Sequence, residues 1–246
     1  MEPRFVGRLG LADRMTITNA LLGFAAVITA PTDPGLAARF VLLAAIADGA
    51  DGILARARGH TPVGDVLDSL ADVVSFGVAP ALLVFHIVWS DGGVALSVRP
   101  VLAGVAALAF LAMALVRLGL YTTDDLDYAH TEGVQTTLAA TLLASAYLAG
   151  VRGPFVLLAA SAALAYLMVT RITYPDLRAR DALVMGVVQG LAIASPAAFG
   201  RAFPRILFVA ACCYLLFGPW LYRRDSTDPH PAGEGTTRSR RPSESR

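Results

Sequence analysis

Four aspartates in two closely spaced pairs are the residues of this sequence best suited to chemistry. Asp48 and Asp51 are three residues apart, and Asp68 and Asp72 are four residues apart. On helices both spacings place the two side chains on one face, so two facing pairs would form a cage of carboxylate oxygens. Hard divalent cations such as Mg²⁺ prefer oxygen ligands and commonly share them with substrate phosphates. The pattern therefore predicts metal-dependent phosphate chemistry.

The residues around the aspartates favour a phosphate-containing ligand. Gly52, Ala55 and Gly64 are small enough for a ligand to approach the backbone closely. Arg56 offers a planar fork of donors that suits a phosphate group. The alternative is that the aspartates are helix caps beside a loop. That explanation suits one aspartate better than it suits the whole pattern.

The composition predicts that these residues sit in an all-α integral membrane protein. The chain has 246 residues, of which 56% are hydrophobic and 16% are charged. A helix needs about 20 apolar residues to cross a bilayer. Eight runs approach this length, which indicates a polytopic bundle of about eight transmembrane helices: residues 15–30, 36–50, 70–89, 98–120, 134–150, 154–171, 183–200 and 204–222. A carboxylate in the membrane costs about 2.5–3.5 kcal/mol, so the aspartates require compensation.

The distribution of arginines predicts the orientation of the chain in the cell membrane. All 20 basic residues are arginine, and eight spans divide them as 15 on the side of both termini and five on the other. The positive-inside rule then places both termini and the aspartates at the cytoplasmic face. A cleaved signal peptide is the alternative for the first run, but its polar Thr16, Thr18 and Asn19 favour a retained span.

The domain organisation predicted from the sequence is simple. Residues 1–224 form one transmembrane catalytic domain, and residues 225–246 form a disordered cytoplasmic tail rich in Ser, Pro, Arg and Glu. The formal net charge of +1 gives no indication of nucleic-acid binding. Cys212 and Cys213 are adjacent in an apolar run, where neighbouring side chains point in different directions, so we expect no disulfide between them.

The acidic segment resembles the signature of the CDP-alcohol phosphatidyltransferases. Asp48-Gly-Ala-Asp51-Gly52-Ile-Leu-Ala55-Arg56, followed by Gly64 and the second aspartate pair, matches all eight specified residues of that signature. The resemblance implies a six-helix membrane core, so the last two predicted spans would be additional. It also implies transfer of a phosphatidyl or related group from a CDP-linked lipid to an alcohol, with release of CMP. A homodimer is implied in the same way.

The resemblance implies a role for each signature residue. Asp48, Asp51, Asp68 and Asp72 would bind two Mg²⁺ or Mn²⁺ ions, and Asp72 would also act as the general base. Gly52, Ala55, Arg56 and Gly64 would contact the CDP portion of the donor.

The residues that follow the signature are similar to the serine-transferring branch of the family. This stretch runs from Ser69 to Ala81 and contains Ser75-Phe76-Gly77. The resemblance implies L-serine as the acceptor, CDP-diacylglycerol or CDP-archaeol as the donor, and the serine phospholipid with ester- or ether-linked chains as the product. The chain departs from the branch in its short run after Arg117 and in its Gly133-Val-Gln135 sequence.

The charge pattern near the aspartates also favours serine. Glycerol 3-phosphate and inositol phosphate, the alternative acceptors, are dianions that need a cluster of cations. Serine needs one cation for its carboxylate, and Arg117 is the candidate for acceptor binding, with snorkelling to the interface as the alternative. A cation transporter is the non-enzymatic alternative, but it would spread acidic residues through several spans rather than cluster them.

Overall fold

The protein is a bundle of helices. The computed structural model describes residues 9–58, 61, 63–90, 98–124, 131–174 and 179–225. The helices are α1 (Leu11–Thr29), α2 (Pro34–Arg58), α3 (Gly64–Asp72), α4 (Ala79–Ser90), α5 (Val98–Asp124), α6 (Thr136–Ala149), α7 (Pro154–Met168), α8 (Ala179–Ala194) and α9 (Ala198–Asp225). A π-helical segment, Val73–Val78, joins α3 to α4. Because residues 64–90 are one continuous helix, the prediction of eight helices is confirmed for the described part of the chain.

Several helices have the length and composition of membrane spans. Within the described residues, four are long and apolar enough to cross a bilayer: Leu11–Thr29, Gly64–Ser90, Val98–Leu120 and Ala198–Trp220. Three shorter apolar helices are Thr136–Ala149, Pro154–Met168 and Leu183–Ala194. Large apolar side chains such as Phe24 and Leu108 are exposed on the outside of the bundle. The predicted all-α membrane protein is confirmed.

The helices that carry the four aspartates are longer than predicted. α2 continues to Arg58, beyond the predicted end at residue 50, and the next helix begins at Gly64 rather than at residue 70. Residues 54–58, which are Leu, Ala and Arg, are strong helix formers, so the helix does not stop where the apolar run does. Both halves of the signature therefore lie within helices. Of the predicted tail, residues 225–246, Asp225 is the last residue of α9, and residues 226–246 lie outside the described residues.

Small residues allow the central helices to pack closely. α1 packs along α2, and α2 packs against α6. Ala37, Ala38 and Ala44 of α2 and Ala139 and Ala140 of α6 are completely buried. Without a bulky side chain between them, helix backbones approach closely and gain dispersion energy, which drives helix association in membranes.

A short strand pair and two C-terminal helices complete the fold. β1 (Thr131–Glu132) pairs antiparallel with β2 (Thr173–Tyr174), so the segment before α6 is joined to the segment after α7. Gly133 adopts φ 76°, and its N–H donates to the Ile172 carbonyl at 2.8 Å. α8 packs against α2, and α9 packs against α6. We refer to α8 and α9 as the C-terminal helix pair.

Candidate active site

The four aspartates, which we call the acidic cluster, lie on the C-terminal half of α2 (Asp48 and Asp51) and on α3 (Asp68 and Asp72). Asp48, Asp68 and Asp72 each place one carboxylate oxygen within 4.8 Å of the others. Asp72 is buried and the other two are half-buried. Like charges about 4 Å apart repel by about 4 kcal/mol at an effective dielectric constant near 20. Three carboxylates at this spacing therefore favour a cation between them.

Asp51 lies beside this group of three rather than within it. It is buried, with 5% of its surface exposed, and its Oδ2 accepts a hydrogen bond of 2.7 Å from Thr16 Oγ1. Its negative charge still acts on Asp48 and Asp68. The structure therefore brings three of the predicted ligands together and places the fourth next to them.

Two further donors hold the carboxylates of the cluster. Asn19 Nδ2 donates to Asp72 Oδ1 at 3.2 Å, and Thr137 Oγ1 donates to Asp48 Oδ2 at 3.3 Å. Asp68 Oδ1 is buried and has no hydrogen-bond partner among the described residues. A buried carboxylate oxygen normally requires a donor or a cation. An all-oxygen set with such an atom fits Mg²⁺ or Mn²⁺, so this cluster could hold a divalent cation.

The buried face of α1 is polar where it meets the cluster. Asp13, Thr16, Asn19 and Gly23 are all buried on this face. Contacts of Thr16 and Asn19 with the aspartates were not predicted. The available signal was their spacing, because polar residues at positions 13, 16 and 19 repeat with helical periodicity in an apolar run.

Asp13 anchors the connection between the two halves of the signature. Its carboxylate accepts hydrogen bonds of 3.0 Å from Thr61 Oγ1 and of 2.7 Å from the Gly10 N–H. Thr61 lies between α2 and α3, so this contact ties their connection to the start of α1. Neither residue was among the predicted site residues.

The π-helical segment packs directly against α1. Ser75 Oγ donates to the Asn19 carbonyl at 2.8 Å. A Cβ atom on Gly23 would lie 2.5 Å from Ser75 Cα, so only glycine permits this approach. The π-helical segment begins directly after Asp72, and π-helical turns often occur at functional sites. The contacts of Ser75 therefore help to fix Asp72 relative to α1.

The residues predicted to bind CDP lie near the cluster. Gly52, Ala55 and Arg56 follow Asp51 on the last turns of α2, and the Arg56 side chain is exposed. A Cβ on Gly52 would lie 3.6 Å from Arg56 Nη1. At the start of α3, a Cβ on Gly64 would lie 3.3 Å from Thr61 Oγ1. These positions adjoin the acidic cluster in sequence.

Arg117 is buried on α5, with 7% of its surface exposed. α5 returns along α4, the π-helical segment and α3. Ala114, one turn before Arg117, lies 3.6 Å from the position of a Cβ on Gly77. The next turn of α5 therefore faces the residues that precede Gly77, which places Arg117 toward the Asp72 end of the bundle.

Residues 9–175 match the sequence model of the family described as CDP-alcohol phosphatidyltransferase. The chain belongs to this family. The match to the CDP-alcohol phosphatidyltransferases runs from before α1 to just after β2 and contains the whole acidic cluster, Arg117 and the strand pair. It does not reach α8 and α9.

Three known proteins illustrate what this chain is similar to. Archaetidylserine synthase from Methanothermobacter thermautotrophicus is 30% identical over 185 residues, which cover 71% of this chain and 73% of that protein. CDP-diacylglycerol–serine O-phosphatidyltransferase from Bacillus subtilis is 29% identical over 140 residues, or 56% of this chain and 74% of that protein. The protein of the same name from Saccharomyces cerevisiae is 41% identical over 88 residues, or 32% of each chain.

Proposed function

We propose that this enzyme transfers the phosphatidyl or archaetidyl group of a CDP-linked lipid to the hydroxyl of L-serine and releases CMP. The observation that carries the proposal is the convergence of Asp48, Asp68 and Asp72, which come from both halves of the family signature, within 4.8 Å. The names of the relatives support serine as the acceptor. The donor is CDP-archaeol or CDP-diacylglycerol, since relatives named for both kinds of lipid are similar to the chain.

The four aspartates would hold two divalent cations, Mg²⁺ or Mn²⁺. Asp48, Asp51 and Asp68 act as ligands, and Asp72 completes the set. When bound, the cations neutralise charge on the diphosphate of the donor. Two observations support this assignment: Asp68 Oδ1 has no hydrogen-bond partner in the described part of the chain, and the donor set is all oxygen.

Asp72 would act as the general base. Asn19 donates to Asp72 Oδ1, which leaves the other carboxylate oxygen to take the proton of the serine hydroxyl. The serine oxygen then forms a bond to the β-phosphorus of the donor. The bond from that phosphorus to the bridging oxygen breaks, and CMP leaves with the electron pair. A positioned base of this kind contributes about 10²–10⁴-fold to a rate.

The remaining predicted residues would bind the substrates. Gly52, Ala55 and Gly64 lie along the CDP portion of the donor, where small residues admit a ligand, and the exposed Arg56 binds a phosphate. The buried Arg117 pairs with the carboxylate of serine.

We also propose where the enzyme lies in the cell and how it is oriented. We place it in the cell membrane as a multi-pass protein, with the acidic cluster and both termini at the cytoplasmic face, in contact with membrane lipids. The arginine distribution supports this orientation. Residues 1–224 act as one catalytic domain, and two copies form a homodimer, whose mass in detergent can be measured by light scattering.

The decisive experiment supplies purified enzyme in detergent with labelled L-serine, Mn²⁺ and either CDP-diacylglycerol or CDP-archaeol. We expect labelled lipid and equimolar CMP with at least one donor, and no product after chelation with EDTA. Parallel reactions replace serine with glycerol 3-phosphate or inositol phosphate. Product with one of these and none with serine would contradict the acceptor assignment. Cation flux into liposomes without any transfer would contradict the enzymatic assignment.

A further inference from the structure

Two hydrogen bonds fix the acidic cluster to α1, a helix that carries none of the four aspartates. α1 donates one hydrogen bond to each half of the signature: Thr16 Oγ1 to Asp51 Oδ2 at 2.7 Å, and Asn19 Nδ2 to Asp72 Oδ1 at 3.2 Å. Thr16 is 4% exposed and Asn19 is completely buried, so bulk water has little access to either donor. The two donors are three residues apart and therefore share one face of α1.

The Thr16 hydroxyl has one proton and two acceptors within reach. The distance to Asp51 Oδ2 is 2.7 Å, whereas the distance to the Ala12 carbonyl on its own helix is 3.2 Å. Thr18, two residues further along, donates to the Arg14 carbonyl at 2.8 Å and is exposed. The two threonines therefore have different hydrogen-bond partners. Thr16 donates to a carboxylate on α2, and Thr18 donates to a backbone carbonyl of α1.

Each donor occupies one lone pair of a carboxylate oxygen and leaves the remaining lone pairs of that carboxylate for its other partners, a cation among them. We propose that Thr16 and Asn19 are positioning residues that set the affinity of the acidic cluster for its divalent cations, by fixing the orientations of Asp51 and Asp72 before the cations bind. The inference rests on the metal dependence of the proposed function. Outer partners of this kind typically change metal affinity by about 10–100-fold when removed.

The test measures Mn²⁺ binding by the full-length protein in detergent without substrates, from the loss of the free Mn²⁺ signal in electron paramagnetic resonance. Thr16→Val keeps the shape of the side chain and removes the donor, so we expect its affinity to fall by about 10–100-fold. Thr16→Ser keeps the donor and should restore most of the affinity. Thr18→Val is the matched control on the same helix and should bind as the wild type does. Asn19→Leu should weaken binding as Thr16→Val does.

Thermal unfolding in EDTA shows whether the variants fold. Equal Mn²⁺ affinity for the wild type and Thr16→Val would overturn the inference and leave the proposed function intact. Equal losses in Thr16→Val and Thr16→Ser would also overturn it, because the effect would then come from packing. A wild-type protein that binds no Mn²⁺ would overturn the metal assignment itself and this inference with it.

Discussion

The acidic cluster and the C-terminal helix pair are held in the bundle by different kinds of contact. At the cluster, hydrogen bonds join one side chain to another, as between Thr16 and Asp51. At the C-terminal helix pair they join a side chain to a backbone carbonyl: Gln189 Nε2 donates to the Leu42 carbonyl at 2.6 Å, and Arg205 Nε donates to the Ala149 carbonyl at 3.4 Å. A backbone carbonyl is present whatever the residue, so the second kind of contact depends on the identity of one partner only.

The family match separates the same two regions, because it includes the acidic cluster and excludes the C-terminal helix pair. It covers residues 9–175, which contain the acidic cluster and its donors, and it stops before α8. We therefore expect substitutions at the cluster to change activity more than stability. Substitutions in the C-terminal helix pair should do the reverse.

The largest effect is expected from Asp72→Asn. The change removes the proton acceptor but keeps the shape of the side chain and an oxygen that can accept from Asn19. We expect kcat to fall by at least about 100-fold, with the melting temperature unchanged. Asp65→Asn, an exposed position on α3, is the control and should retain activity. Turnover close to that of the wild type in Asp72→Asn would remove Asp72 as the base.

Arg117→Lys should affect the use of serine more than the chemical step. Lysine keeps the charge but loses the two parallel hydrogen bonds that a guanidinium makes to a carboxylate. Since hydrogen bonds to charged groups contribute about 1.5–3 kcal/mol, we expect the KM for serine to rise by about tenfold or more, with a smaller change in kcat. Arg152→Lys is the control. In the wild type the Arg152 guanidinium lies 3.7 Å from the centre of the Tyr147 ring. A fall in kcat at constant KM would contradict acceptor binding.

Gly23→Ala should lower both stability and activity moderately. The new methyl group would collide with the backbone of Ser75, which forces α1 away from the π-helical segment. Overpacking of this kind costs about 1–3 kcal/mol, measured by unfolding in detergent. The displacement also carries Asn19 away from Asp72, so kcat should fall with the melting temperature. Gly104→Ala is the control, because no other part of the described structure comes within 4 Å of its Cβ position. A similar loss of stability there would contradict the steric explanation.

The sequence predicted the helices and most of the acidic cluster for physical reasons. Membrane-length apolar runs are local features, and spacings of three and four residues place Asp48 and Asp51, or Asp68 and Asp72, on one helix face whatever surrounds them. The end of α2 and the start of α3 were predicted less well. The length of an apolar run reflects the thickness of the hydrocarbon layer, whereas a helix can continue beyond that layer.

The donors to the cluster could not be assigned from local pattern alone. Thr16 and Asn19 meet the aspartates only because α1 packs against α2 and α3, and their spacing shows a shared face but not what it contacts. The two-residue strands are too short to show an alternating pattern. Ser75 and Phe76, part of the stretch that resembles the serine-transferring branch, are buried in the π-helical segment. Ser75 contacts the backbone of α1, so part of that resemblance reflects helix packing.

Gln189→Leu should produce the smallest effect and tests the C-terminal helix pair directly. Leucine is similar in size but cannot donate to the Leu42 carbonyl, which keeps its own helical hydrogen bond within α2. Hydrogen bonds between membrane helices contribute about 0.6 kcal/mol on average. We expect a loss of stability of about that size in detergent unfolding, with kcat and the KM for serine unchanged. Val187→Leu, at an exposed position on the same helix, is the control for packing.

A large loss of activity in Gln189→Leu would contradict the division between the two regions. Leu42 lies on α2, the helix that carries Asp48 and Asp51, so a shift of α8 has a direct route to the acidic cluster. If α2 moved when this contact was lost, Mn²⁺ affinity would fall together with kcat. If α2 is instead held by α1 and α6, as its packing against both indicates, Mn²⁺ affinity stays at the wild-type value and only the unfolding free energy changes. Measuring both quantities on this one variant therefore decides whether the helices beyond the family match only stabilise the bundle or also help to position its metal ligands.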